Sequence, residues 1–180
     1  MAAEPGFDPE PILRTLNAHD VAYVVVGGFA VAAHGVVRAT ADLDLVVERS
    51  WQNASRLAAA LLELEAEDAT AASTPLSAEV LVRRADRKFQ TNRGAVHLLN
   101  EVEGVPLYRE LVPPDEVQLG SESFPVAGLA DLRRMKRAAG RLKDRVDISK
   151  SLTPFTAKRR SRVAKEVGGQ GRGSSPAPTD

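Results

Sequence analysis

Hydrophobic positions change their spacing several times along the chain, and each change marks an element. Ile12, Leu13 and Leu16 fall on one face of a helix running from Pro9 to Ala18, which Asn17-Ala18-His19-Asp20 closes. The apolar run Val21 to Val26 is short, β-branched and halted by Gly27-Gly28, the pattern of a buried strand. Phe29 to His34 is alanine-rich with apolar side chains at helical spacing, and predicts a short helix ending near Gly35. Across Thr40 to Val47 acidic and apolar residues alternate before a hydrophobic pair, which predicts a second strand. Ser50 then fits the N-cap of a helix reaching about Glu65, with Leu57, Leu61, Leu62 and Leu64 on its apolar side and Trp51 packed at its start. Glu63, Glu65, Glu67 and Asp68 crowd its end and read as a solvated face.

Further along, Ala69 to Ser77 is small and polar around Pro75, and reads as a loop. Arg87 to Thr91 and Ala95 to Asn100 flank Asn92-Arg93-Gly94 as the arms of a hairpin. A second hairpin, Glu116 to Leu119 with Ser123 to Val126, turns at Gly120-Ser121. Apolar residues at helical spacing predict a helix from Leu129 to Ala139, closed by Gly140, and a short one follows from about Lys143 to Lys150. From Ser151 onward the texture becomes basic, then rich in Gly, Ser and Pro, as in a disordered tail. The expected architecture is therefore α/β (α+β): one domain over 1–150 with a mixed β-sheet flanked by helices, and a tail over 151–180.

Composition narrows the picture by exclusion. Lys plus Arg and Asp plus Glu number 24 each, so no global field marks the whole chain as a nucleic-acid binder. The basic cluster Lys158-Arg159-Arg160-Ser161-Arg162 could still grip an RNA backbone locally, or simply be solvated. The absence of cysteine removes disulfides, thiolate metal sites and a cysteine nucleophile from consideration. Neither a long apolar segment nor a signal-like N-terminus is visible, so the expected setting is cytoplasmic, with no membrane partner.

The chemistry concentrates between Tyr23 and Val47. Glycines after a buried strand let main chain approach a ligand closely, and a helix start offers unpaired N–H groups to phosphate oxygens. Asp42 and Asp44, at i and i+2 of a strand, share one face roughly 6.5 Å apart, while Leu43 and Leu45 point to the core. Two such carboxylates repel unless a cation lies between them, and hard oxygen ligands suit Mg²⁺. Read without a ligand, the same residues are an ordinary turn and two carboxylates on an edge strand.

The order strand, Gly27-Gly28, short helix, Arg38-x-Thr40-x-Asp42-x-Asp44 resembles the opening of the nucleotidyltransferase superfamily, and within it the small bacterial AbiEii-like toxin type. The resemblance spans roughly Tyr23 to Asp147. It implies a polymerase-β-like core, Mg²⁺ ions held by three carboxylates, and transfer of a nucleotidyl group from an NTP to an RNA or tRNA end or a protein hydroxyl. A toxin–antitoxin setting with a cognate partner goes with it. By the same resemblance Asp42 and Asp44 are the metal ligands. Gly27, Gly28, Arg38 and Thr40 line the nucleotide site, and the basic segment that follows brings Lys136, Arg141 and Lys143 to the triphosphate. Asp144 then serves to orient one of these cations.

The family's third carboxylate, carried on a later strand beside the D-x-D strand, is replaced at the matching position by His97. A neutral imidazole is a softer ligand that shifts preference from Mg²⁺ towards Mn²⁺ or Zn²⁺, though it can take a proton near neutral pH. Three outcomes stay open. His97 serves as ligand or base beside Asp42 and Asp44, or Glu101 or Glu103 reaches in, or the site is degenerate and the protein acts as a nucleotide-binding or partner-binding module. His34 reads as a helix-end residue rather than a ligand.

Overall fold

A computed structural model describes residues 6–36, 39–71, 74–83, 86–100 and 104–139. Its elements are α1 (Pro9–Ala18), β1 (Tyr23–Val26), α2 (Gly27–Ala33), β2 (Asp42–Val47), α3 (Trp51–Glu63), β3 (Glu67–Asp68), α4 (Ala78–Leu81), β4 (Arg87–Thr91), β5 (Gly94–Leu98), β6 (Asp115–Leu119), β7 (Glu122–Val126) and α5 (Leu129–Ala139). A single 3-10 turn, Tyr108–Glu110, precedes β6. Among the described residues no helix is long and apolar enough to cross a membrane.

The strands form one seven-stranded mixed sheet in the order β3-β4-β5-β2-β1-β7-β6. The two hairpins, β4 with β5 and β6 with β7, make its flanks, and β1 with β2 make its centre. The chain joins them by parallel pairings of β2 with β5 and β1 with β7. Burial of all four residues of β1 accounts for its composition, Tyr23 followed by three valines with no polar alternation. β2 keeps a strict alternation at its start: Leu43 and Leu45 are fully buried, whereas Asp42 and Asp44 are only half-buried.

Helix packing follows the apolar spacing. Ile12, Leu13 and Leu16 of α1 are fully buried, and the helix packs on β7 and α3. Ser50 caps α3, accepting from Asn53 N–H at 3.1 Å. Asn53 itself is buried and saturated: its side-chain oxygen accepts from Ala22 N–H at 2.7 Å, and its amide donates to the Ala22 and Glu48 carbonyls at 2.9 and 2.8 Å. One polar side chain thereby ties α3 to the start of β1 and the end of β2.

Four expectations need correction. The glycines do not form a separate turn, because α2 starts at Gly27 itself; its φ of +68° reverses the chain within one residue, so Gly28 is already helical. Trp51 does not pack at the start of α3 but is 61% exposed, and Leu62 is 60% exposed rather than part of the apolar side. Eleven positions are three helical turns, so both share the outward stripe with Ser55 and Ala59, beyond the edge of the buried face that Leu57 and Leu61 centre. Asp68 is not solvated: it sits in the short strand β3, buried against Arg87 of β4. The 69–77 stretch does run without regular structure as far as it is described, but the four-residue helix α4 follows it, buried through Leu81. The expected helix from Lys143 to Lys150, the Gly140 cap and the 151–180 tail lie outside the described residues.

Candidate functional site

The candidate site forms where β1, β2 and β5 lie side by side. In the antiparallel pairing of β1 with β2, Val26 faces Asp44, which places Gly27 beside the first residues of β2. A Cβ added at Gly27 would collide with the Asp44 carboxylate group, so the bare backbone there is what lets the corner and the acid meet. On the other side, the parallel register of β2 with β5 sets Asp42 against Ala95 and Asp44 against His97. Side chains of paired residues share a face, and the His97 ring reaches Asp44, with Nδ1 3.3 Å from Oδ1.

Both members of this pair are partly open to solvent, with side-chain exposures of 31% for His97 and 18% for Asp44. The imidazole is held above its ordinary pKa of 6.5, chiefly by the hydrogen bond to Asp44. Partial burial opposes that shift, while the charges of Asp44, Asp86 and Asp42 add to it. Thr40 organises the entry to β2: its hydroxyl donates to the Asp42 carbonyl at 3.1 Å and touches the Asp42 carboxylate at 3.4 Å. Its hydroxyl is thus already engaged with β2.

The structure therefore brings Gly27, Asp42, Asp44 and His97 together, with Gly28 one step into α2 and Thr40 at the margin. Lys136 belongs to α5, which packs against α2, and its side chain is half-buried there. Arg38, Glu101, Glu103, Arg141, Lys143 and Asp144 lie outside the described residues. His34 is the C-cap of α2, as its position at a helix end suggests, and its Nε2 lies 2.9 Å from the Ala127 carbonyl.

Two neighbours were not singled out from the sequence. Asp86 precedes β4, faces His97 electrostatically, and accepts the Asn100 N–H at 2.7 Å. Lys88 on β4 is paired directly with His97. The sequence pattern puts the turn at Asn92-Arg93-Gly94; the structure makes Gly94 the first residue of β5 and leaves a two-residue turn, and that shift of one residue sets Lys88, rather than Phe89, opposite His97.

Among the described residues no group of three or more His, Asp or Glu side chains is gathered as a self-sufficient metal site. The donor chemistry of Asp42 and Asp44 nevertheless fits a hard cation of the Mg²⁺ type, which takes one or two carboxylates and completes its shell with water and substrate phosphates. His97 supplies a nitrogen that can exchange a proton near neutral pH. Compared with known proteins, the chain matches no family model, and no curated protein sequence matches it either.

Proposed function

We propose that the protein is a metal-dependent nucleotidyltransferase with a polymerase-β-like core, moving a nucleotidyl group from an NTP to an RNA end, with a protein hydroxyl as the other acceptor. The observation that carries this reading is the contact of three chemistries at one point: glycine backbone, a paired carboxylate strand and an imidazole meet around Asp44. In this reading Asp42 and Asp44 hold Mg²⁺, or Mn²⁺ given the histidine. Such an ion neutralises phosphate charge and steadies the oxygens that enter and leave the phosphorus. Gly27 and Gly28 admit the triphosphate close to main chain, and Lys136 with Arg38, Arg141 or Lys143 offsets its charge. His97 in its neutral form accepts the proton of the attacking hydroxyl. A cytoplasmic toxin of a toxin–antitoxin pair, with a cognate partner, is the setting that the resemblance suggests.

A second reading rests on the same contact. His97 already occupies one oxygen of Asp44, and a carboxylate so engaged is a weaker ligand. The protein would then be a degenerate relative that binds a nucleotide or a partner as a regulatory module. Calorimetry with each NTP, with and without Mg²⁺, separates the two. The enzyme reading expects Mg²⁺-dependent binding that Asp44→Asn abolishes, with label transfer from an α-labelled NTP to RNA or protein. His97→Asp restores a third carboxylate and should raise Mg²⁺-dependent turnover on the order of tenfold, about 1.4 kcal/mol of barrier. Metal-independent NTP binding with no transfer in Mg²⁺ or Mn²⁺ sinks the enzyme reading and leaves the module.

A further inference from the structure

Beyond the residues already placed, the sheet register extends the site across one more strand. Asp44 pairs with His97, and His97 pairs with Lys88, so three chemically active side chains stand in one row across β2, β5 and β4. The next row repeats the arrangement with Asp42, Ala95 and Gln90. Within β4 the alternation is sharp: Phe89 and Thr91 are buried, whereas Lys88 and Gln90 are exposed on the His97 face. Lys88 makes no side-chain ion pair or hydrogen bond among the described residues; only its backbone is engaged, through its N–H to Thr70 and its carbonyl to Ala69. At about 4.8 Å per strand, Lys88 starts roughly 10 Å from Asp44, on the side away from the glycine corner.

We propose that Lys88, with Gln90 beside it, is a binding residue on the acceptor side of the site and contacts a backbone phosphate of an RNA acceptor; this rests on the nucleotidyltransferase reading. Gly27 lies on the β1 side of Asp44 and Lys88 on the β5–β4 side, so a triphosphate at the glycine corner leaves the β4 flank to the acceptor. Asp86 and Glu67 stand on that flank with Asp42 and Asp44, so a phosphate backbone entering it depends on the Lys88 charge to be held there. The compact charge of Lys88 answers one phosphate, and the Gln90 amide can donate and accept towards a ribose hydroxyl or base edge. In the transfer, the acceptor's terminal hydroxyl oxygen forms a bond to the α-phosphorus of the NTP. The bond from that phosphorus to the β-phosphate bridging oxygen breaks, pyrophosphate leaves, and the hydroxyl proton goes to His97.

Because Lys88 is exposed, its substitution leaves the fold intact, and the full-length chain can be used throughout. Binding of a short fluorescein-labelled single-stranded RNA, followed by anisotropy across a salt series, reads the contact without any catalysis. Loss of one phosphate contact in Lys88→Ala should lower the slope of log affinity against log salt by about 0.7. Lys88→Arg should keep the wild-type slope. In the transfer assay Lys88→Ala should raise the KM for RNA roughly tenfold while kcat and NTP affinity stay within about twofold, the loss of one charge-assisted contact. An unchanged salt slope overturns the proposal, as does an NTP affinity that falls in parallel with RNA affinity, or label that appears on protein alone. Wild-type protein that binds no NTP in a Mg²⁺- and Asp44-dependent way defeats the underlying reading instead, and the salt slope still decides whether Lys88 holds RNA.

Discussion

Two acid–base pairs sit on the same sheet, and they are built to opposite specifications. Asp68 and Arg87 form a closed pair, with side-chain exposures of 3% and 14%. Asp68 spends its second oxygen as well, accepting from the Thr70 and Ala71 N–H groups at 2.8 and 3.0 Å. Asp44 and His97 form an open pair: one 3.3 Å contact, no other side-chain partner for Asp44 among the described residues, and a bare glycine alongside. Arg87 and Lys88 are neighbours on β4, yet one belongs to the closed pair and the other faces the open one. A carboxylate whose lone pairs are all committed holds structure together. One with spare lone pairs beside exposed backbone can take a ligand.

The largest effects should fall on the closed pair. Removing one partner of a buried ion pair leaves an uncompensated charge in low dielectric, at a cost of about 3–5 kcal/mol. Arg87→Ala should therefore lower the urea midpoint severely, while Asp44→Asn should change stability by less than about 1 kcal/mol. The Arg87 Nε is buried without an acceptor, so the pair is imperfectly satisfied. Replacing both residues, Asp68→Leu with Arg87→Met, should recover only part of the loss, because Leu cannot accept from the Thr70 and Ala71 N–H groups. If Asp44→Asn proves as damaging as Arg87→Ala, the contrast between the two pairs is wrong.

An intermediate effect is expected at Gly27. Its φ of +68° disfavours any L side chain, by about 1–2 kcal/mol, and an added methyl group would also strike the Asp44 carboxylate. Gly27→Ala should thus lose about 2 kcal/mol of stability and, separately, weaken Mg²⁺-dependent NTP binding because Asp44 is pushed aside. Gly120→Ala is the control: its φ is +57° and an added Cβ meets the Glu10 side chain, remote from β2. It should cost comparable stability and leave nucleotide binding alone.

The contrast also explains what the sequence could and could not reveal. Asp42 and Asp44 were legible because alternation along a single strand is a local property, and the two hairpins were legible from their turns. Asp68 was not, because its character is decided by Arg87, 19 positions away, across a pairing with no turn signal of its own. The same holds for Asn53, a polar residue in the first turn of a helix whose burial depends on the start of β1 and the end of β2. Trp51 misled in the opposite sense, since a large aromatic at a helix start carries no phase information. The placement of His97 beside Asp44 needed both the resemblance and the parallel pairing of β2 with β5, and only the second is a matter of coordinates.

The smallest effect should appear in the pH dependence of stability, and its sign follows from the open pair. His97 is raised above 6.5 first by its hydrogen bond to Asp44, with the charges of Asp44, Asp86 and Asp42 assisting against partial burial. A proton is then held by the folded chain at pH values where the unfolded chain has already released it. Below about pH 6.5 both states are protonated and the favourable contact is fully present. As pH rises from there through the folded value, the native state must surrender the proton and the contribution is lost, so stability falls with rising pH. Urea titrations between pH 6 and 9, with a chelator present to keep cations away, should show this decline in wild-type protein and a flatter profile in His97→Gln. Parallel profiles for wild type and His97→Gln would mean that the imidazole gains nothing from Asp44, and the open pair would then be two neighbours rather than one unit.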